Sequence, residues 1–258
     1  MRLFLKIVGG LLLLLVVAVA SLALSLRAKP PASTFDVQAN LAGDGSSYLV
    51  FGATRNTGLM VATILKNRGD RVTAFVRPSS NLASLKELGI GVVVGDAVEL
   101  DTVRAAMAAG EYDAVLTTIG CLSCEPPPDY IGNSNIFKAA KEAGIQRVVF
   151  VTTIGSGDSA GAAPMISTKV LEKIVPLKTQ AEDELRESGL DYTIIRPGGL
   201  RSGIRTGNGI LSEDRATFGF IFREDLAELV VAALDDDRAI GKTLSAIDAN
   251  RSFPWSNE

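Results

Sequence analysis

From Ser47 onward the chain alternates short apolar runs with longer stretches in which apolar residues recur every three to four positions. The runs Tyr48–Phe51, Arg71–Val76, Gly91–Val94, Ala114–Thr118, Arg147–Thr152, Tyr192–Ile195 and Thr243–Ile247 read as strands. The intervening stretches Gly58–Asn67, Leu100–Ala109, Asn133–Ala143, Leu177–Ser188 and Arg223–Leu234 read as helices. Strands that are apolar at nearly every position are buried on both faces. Their alternation with helices therefore predicts an α/β domain with a doubly wound parallel sheet. Gly69, Gly110, Gly144 and Gly189 each follow a helical stretch and are expected to end it as left-handed caps.

Ahead of this pattern, Ile7 to Leu26 (IVGGLLLLLVVAVASLALSL) runs twenty residues without a charge. That is about the length at which a helix crosses a bilayer. Residues 1–29 are accordingly expected to be a single N-terminal hydrophobic helix acting as a transmembrane anchor. A cleaved signal peptide is the alternative, because Arg2 and Lys6 form a basic leader and Ala18-Val19-Ala20 offers a small-residue cleavage pattern. Arg27 and Lys29 balance the charges on the other flank, so the charge rule gives no orientation. Residues 30–46, rich in Pro, Ala, Ser, Gly and Asp, read as a linker, and 47–258 as one globular domain.

Composition narrows the chemistry. The chain of 258 residues is 47% hydrophobic and carries a formal net charge of −3, with no Lys/Arg run to track a phosphate backbone. Nucleic acid is therefore not expected as a partner. It has no histidine, which excludes a Ser-His-Asp triad, a Cys-His dyad and a His-ligated metal. Two cysteines are too few for a disulfide-scaffolded domain.

The first strand feeds directly into Gly52-Ala53-Thr54-Arg55-Asn56-Thr57-Gly58, and a helix follows. A glycine at each end of a strand-to-helix turn allows the tight bend and the close packing that aim a helix N-terminus at a pyrophosphate. Arg55 stands where the middle glycine of such turns lies. The second strand ends at Val76-Arg77, with no acid to hold a ribose 2′-hydroxyl. Arg77, with Arg55 across the turn, instead offers a guanidinium to a 2′-phosphate, which favours NADP(H) over NAD(H). A solvated strand-end arginine is the plainer reading of Arg77.

Residues from Tyr48 to Leu234 resemble the atypical short-chain dehydrogenase/reductases, in particular the NAD(P)-binding group of NmrA-like and flavin-reductase-like proteins. The resemblance rests on the turn Gly52–Gly58, Val76-Arg77, Gly95-Asp96, Phe150–Gly155, Lys178 with Ala181-Glu182, Ser188–Gly198 and Arg223–Ala227. It implies a Rossmann-like fold. It also implies a cofactor site in which Gly52, Thr54, Arg55, Asn56, Thr57 and Gly58 face the phosphates. Asp96 and Ala97 would sit beside the adenine, and Thr117, Thr118, Ile119 and Lys178 about the nicotinamide ribose. Pro197 and Gly198 would border the nicotinamide. For Asp96 a helix N-cap, and for Lys178 a solvated helix lysine, stand as alternatives.

Active members of that superfamily carry a tyrosine four residues before the lysine as proton donor; this chain has Ile174 there. Thr152, Thr153 and Lys178 remain as candidate catalytic groups. Cys121-Leu122-Ser123-Cys124 follows the fourth strand and is either a redox pair or disulfide, or two plain thiols; zinc is not expected. Two functions compete. One is a membrane-anchored NADPH-dependent oxidoreductase acting on a small, lipophilic molecule. The other is a non-catalytic NADP(H)-binding redox sensor or assembly factor that binds a protein partner. A sugar-nucleotide epimerase would need the missing tyrosine. Because nicotinamide cofactors are abundant in the cytosol, the domain is expected on the cytoplasmic side of a single-pass membrane protein.

Overall fold

The structure, a computed structural model, describes residues 2–25, 29–37, 40, 42–164 and 169–250. Among the described residues, nine strands and six α-helices follow the N-terminal helix α1 (Arg2–Ser25) in the order β1 (Ser47–Phe51), α2 (Asn56–Asn67), β2 (Arg71–Val76), α3 (Ala83–Glu87), β3 (Gly91–Val94), α4 (Leu100–Ala108), β4 (Ala114–Thr117), α5 (Ile131–Glu142), β5 (Arg147–Val151), α6 (Val175–Glu187), β6 (Asp191–Pro197), β7 (Gly199–Arg201), β8 (Gly209–Ser212), β9 (Phe220–Phe222) and α7 (Arg223–Asp235), before a tenth strand, β10 (Lys242–Asp248), closes the described fold.

Eight strands form one sheet in the order β3-β2-β1-β4-β5-β6-β10-β8. Every neighbour pair is parallel except β10 with β8 at the edge, where Ala246 stands opposite Leu211. The doubly wound parallel sheet is thus present, with one antiparallel edge strand added. The chain steps from β1 outward through β2 and β3, then returns to β4 on the other side of β1. That reversal opens a crevice at the carboxyl ends of β1 and β4.

Side-chain alternation splits the core in two. Tyr48, Val50, Val149 and Val151 face α2, α3 and α7 through Val61, Leu65, Leu85 and Val230. Leu49, Phe51, Val148 and Phe150 face α4, α5 and α6 through Val103, Ile136, Phe137 and Leu185. This is why β1 and β4 read as unbroken apolar runs: each residue is buried, but on alternate faces. Gly69, Gly144 and Gly189 take positive φ, as left-handed caps do, whereas Gly110 does not. A Cβ on Gly110 would meet the Tyr112 ring at 3.1 Å, so crowding rather than handedness favours glycine there.

The N-terminal expectation is corrected. Val8 to Ser21 of α1, the part whose side chains are described, is exposed. Among the described residues no helix is long and apolar enough to cross a membrane. A single-pass membrane protein with its domain on the cytoplasmic side is therefore not supported. Past α1, Phe35 bridges Leu211 beside β10, and Ser212 Oγ donates to Ser33 O at 2.6 Å. Phe35 and Val37 pack on the α2/α7 core, so this stretch lies along the domain.

One buried ionic cluster ties α6 to the sheet. Arg196 on β6 is 2% exposed and Glu182 on α6 is fully buried. Nε and Nη2 of Arg196 donate to Oε1 and Oε2 of Glu182 at 3.0 and 2.5 Å, and Thr152 Oγ1 donates to the same Oε1 at 2.7 Å. Removing Glu182 leaves the buried Arg196 guanidinium with only the half-exposed Asp158 carboxylate, 2.5 Å from Nη1, to answer its charge. Glu182→Ala is expected to lower stability by roughly 3–5 kcal/mol in urea unfolding. The double substitution Glu182→Leu/Arg196→Leu should recover most of that loss; equal losses would contradict this account of the pair.

Candidate dinucleotide site

The turn after β1 is built by two glycines that nothing larger could replace. Gly52 has φ +88°, and a Cβ on it would stand 2.5 Å from Thr118 Oγ1. A Cβ on Gly58 would stand 2.2 Å from the Gly52 carbonyl oxygen. The first turn of α2 therefore rests directly on the strand end, and its unpaired N–H groups face the crevice. Arg55, the N-cap, has φ −162°, extended backbone open to any residue. The absent middle glycine thus costs nothing in backbone strain. Asn56 takes the left-handed φ of 50°, which asparagine tolerates better than most residues.

A crevice of about 980 Å³ runs along the carboxyl ends of the strands. Gly52, Thr54, Arg55, Asn56, Thr57 and Gly58 line one stretch of it, Arg77, Asp96 and Ala97 another, and Thr118, Ile119, Thr152, Thr153, Lys178, Pro197 and Gly198 the rest. Thr117 is the exception. It is fully buried behind the crevice, and its hydroxyl donates to Asn133 Oδ1 at 2.7 Å. The alternation of β4 points Thr117 into the α5 layer and leaves Thr118 at the rim. Asp96 does not cap α4, whose N-cap is Glu99. Its Oδ1 accepts from Val98 N–H at 3.2 Å, and the Ala97 carbonyl accepts from Asn135 Nδ2 at 2.9 Å.

Lys178 is no solvated helix lysine. It is 5% exposed, and Nζ donates to the carbonyls of Ile119 at 2.6 Å and Val151 at 3.4 Å, pinning the ends of β4 and β5. Burial pushes its amine below the ordinary lysine range, and the Asp129 carboxylate, with Oδ1 3.5 Å away, works against that shift. Thr152 is 7% exposed, and its hydroxyl proton is committed to Glu182. Thr153 Oγ1 donates to Ile154 O at 3.2 Å. Ile174 stands as the N-cap of α6 on the crevice wall and offers no proton.

Sequence reasoning missed Asp129. It is fully buried at the crevice, accepting from Cys121 N–H at 2.9 Å through Oδ2, while its Oδ1 makes no hydrogen bond and faces Lys178. The only signal was an acid after Pro126-Pro127-Pro128 and just ahead of α5, which reads as ordinary capping. Also unforeseen was the apolar wall of Ile154, Val170, Leu171, Ile174, Leu200 and Phe218, contributed by stretches on both sides of β6. Cys121 and Cys124 are joined as a disulfide with Cα atoms 5.4 Å apart, and both line the crevice. No group of three or more His, Cys, Asp or Glu arranged to hold a metal occurs among the described residues.

Because the Gly58 position has no room for a side chain, Gly58→Ala must push α2 off β1. It is expected to weaken NADPH binding by at least about tenfold in a calorimetric titration, since one misplaced set of phosphate contacts exceeds about 1.4 kcal/mol. Unchanged affinity would contradict the assignment of this turn to the phosphates.

Comparison with known proteins agrees with this geometry. A family model described as NAD(P)H-binding matches residues 52–237, which run from the turn to the end of α7. An uncharacterized sugar epimerase, YhfK, of Bacillus subtilis is 31% identical over 193 residues, covering 72% of this chain and 87% of that protein. Sanguinarine reductase of Eschscholzia californica is 28% identical over 244 residues, covering 76% and 86%. Among solved structures, the anaerobilin reductase ChuY of Escherichia coli O157:H7 superposes with a TM-score of 0.74 at 29% identity, covering 81% of this chain and all of that one. The strand-end crevice, the glycine turn and these likenesses together establish that the chain belongs to the NAD(P)H-binding family and is reductase-like, of the atypical short-chain dehydrogenase/reductase kind.

Proposed function

We propose that the chain is an NADP(H)-dependent oxidoreductase that passes hydride to a small, lipophilic acceptor. The observation that carries this reading is the continuity of one crevice from the Gly52–Gly58 turn to the apolar wall of Ile154, Ile174, Leu200 and Phe218. NADPH, when bound, supplies the hydride. The chain's own residues then bind and orient. The α2 N-terminus meets the pyrophosphate, Arg77 takes the 2′-phosphate, and Pro197-Gly198 borders the nicotinamide. Gly198 suits that place, because a Cβ there would stand 2.1 Å from the Gly219 carbonyl. Arg77 is exposed at the rim, free of any carboxylate hydrogen bond among the described residues. Such a guanidinium suits a dianionic phosphate.

With Ile174 in place of a tyrosine, no phenol lines the crevice among the described residues to donate a proton. Acceptors such as flavins and quinones can be protonated from solvent, so proximity of donor and acceptor suffices for them. Ile174 and the committed Thr152 hydroxyl also support a second reading, an NADP(H)-binding redox sensor or assembly factor that docks a protein partner without turnover.

NADPH oxidation assayed with quinones, flavins and aldehydes separates the two readings. Turnover of a conjugated acceptor is expected, whereas tight NADPH binding with no turnover of any would favour the sensor. Arg77→Glu is expected to raise the NADPH dissociation constant by roughly tenfold to a hundredfold, as losing and reversing one charge-assisted contact would. An unchanged constant would remove Arg77 from the site.

A further inference from the structure

We infer that Cys121 and Cys124 form a reducible site, open to an external dithiol, whose reduction withdraws Arg77 from a 2′-phosphate and so lowers affinity for NADPH but not for NADH. The inference rests on the reading of Arg77 as the 2′-phosphate ligand.

Four observations lead to it. The disulfide lies within the crevice wall, between the Arg77 stretch and the end holding Lys178. Its two cysteines are half-buried, and Leu122 and Ser123 between them are exposed, so a dithiol can reach the sulfurs. Arg77 Nη1 lies 3.9 Å from Cys124 Sγ, whereas no cation contacts Cys121 Sγ among the described hydrogen bonds. The base of the loop is fixed from below, by Cys121 N–H on Asp129 and by Lys178 on the Ile119 carbonyl. Reduction therefore acts at the Cys124 end rather than loosening the whole loop.

The chemistry assigns the sulfurs different parts. A thiol that carries a cation beside it has the lower pKa and is the better leaving group in exchange. A thiolate of the external dithiol attacks Cys121 Sγ, the Cys121–Cys124 bond breaks, and Cys124 departs as a thiolate beside Arg77. The second thiol of the reductant, deprotonated, then attacks its own mixed-disulfide sulfur. That step releases Cys121, which takes up a proton, and the reductant leaves as a disulfide. Two electrons pass to the pair, and one proton goes to solvent because Cys124 stays ionised. A neutral disulfide sulfur is a weak acceptor and leaves the guanidinium to a phosphate; a thiolate competes for it.

The test measures dissociation constants of NADPH and NADH for the full chain, oxidised and after dithiothreitol, with free thiols counted in each state. Cys124→Ser and Arg77→Ala are measured beside it. Reduction of the wild type is expected to weaken NADPH by about tenfold and to leave NADH within about twofold, the size of one charge-assisted contact. Cys124→Ser should keep the oxidised-state NADPH affinity in both conditions. A disulfide that excess dithiothreitol leaves intact in the folded chain would overturn the inference, as would full reduction with no change in the NADPH-to-NADH ratio. If Arg77→Ala loses the NADPH preference while reduction of the wild type does not, the switch alone fails. If Arg77→Ala keeps the preference of the oxidised wild type, the 2′-phosphate reading fails and the switch with it.

Discussion

The contact on which the rest of the structure depends is the seat of α2 on β1, where the Gly58 backbone meets the Gly52 carbonyl with no room for a Cβ. It brings the positive end of a twelve-residue helix to the carboxyl edge of a buried strand. From there α2 packs on α7 through Val61, Leu65 and Val230, and the α2/α7 layer covers one face of the sheet. Arg68 at the far end of α2 clamps the same layer, donating to Asp235 Oδ1 at 3.0 Å. Moving α2 outward by the width of one methyl group would disturb this layer and the mouth of the crevice together.

Under the crevice lies a second constraint. Lys178 holds the ends of β4 and β5 through two carbonyls, and Asp129 answers its charge while holding Cys121. This arrangement makes the lysine part of the floor. The Glu182–Arg196 cluster does the same for Thr152. Both polar networks spend their donors on the protein itself, so the site is well ordered for binding yet carries few groups able to move a proton. Binding and catalysis are separable in this fold for that reason, and an oxidoreductase built on it must rely on bringing donor and acceptor together.

Much of the fold was legible because strands buried on both faces leave an unmistakable apolar run, as in Tyr48–Phe51 and Arg71–Val76. Short elements were not. α3, β7 and β9 span three to five residues each, and β8 is an edge strand whose Gly209 and Ser212 carry no apolar signature. The phosphate turn could be read because its glycines answer local steric demands. Asp129 and the apolar wall of Leu200 and Phe218 could not, since long-range packing alone brings them to the crevice. Thr117 and Thr118 illustrate the limit: adjacent in sequence and alike in chemistry, they face opposite ways because a strand alternates. The N-terminal run failed for another reason. Apolar length in the sequence stood in for a membrane span, and no described helix meets that requirement.

The most direct test of the central claim is a crystal structure of the chain soaked with NADP. The account predicts the pyrophosphate on the N–H groups at the start of α2, the 2′-phosphate on Arg77, and nicotinamide C4 facing the wall of Ile174 and Phe218 beside Pro197-Gly198. A dinucleotide seated elsewhere, or one whose phosphates lie away from the Gly52–Gly58 turn, would contradict it.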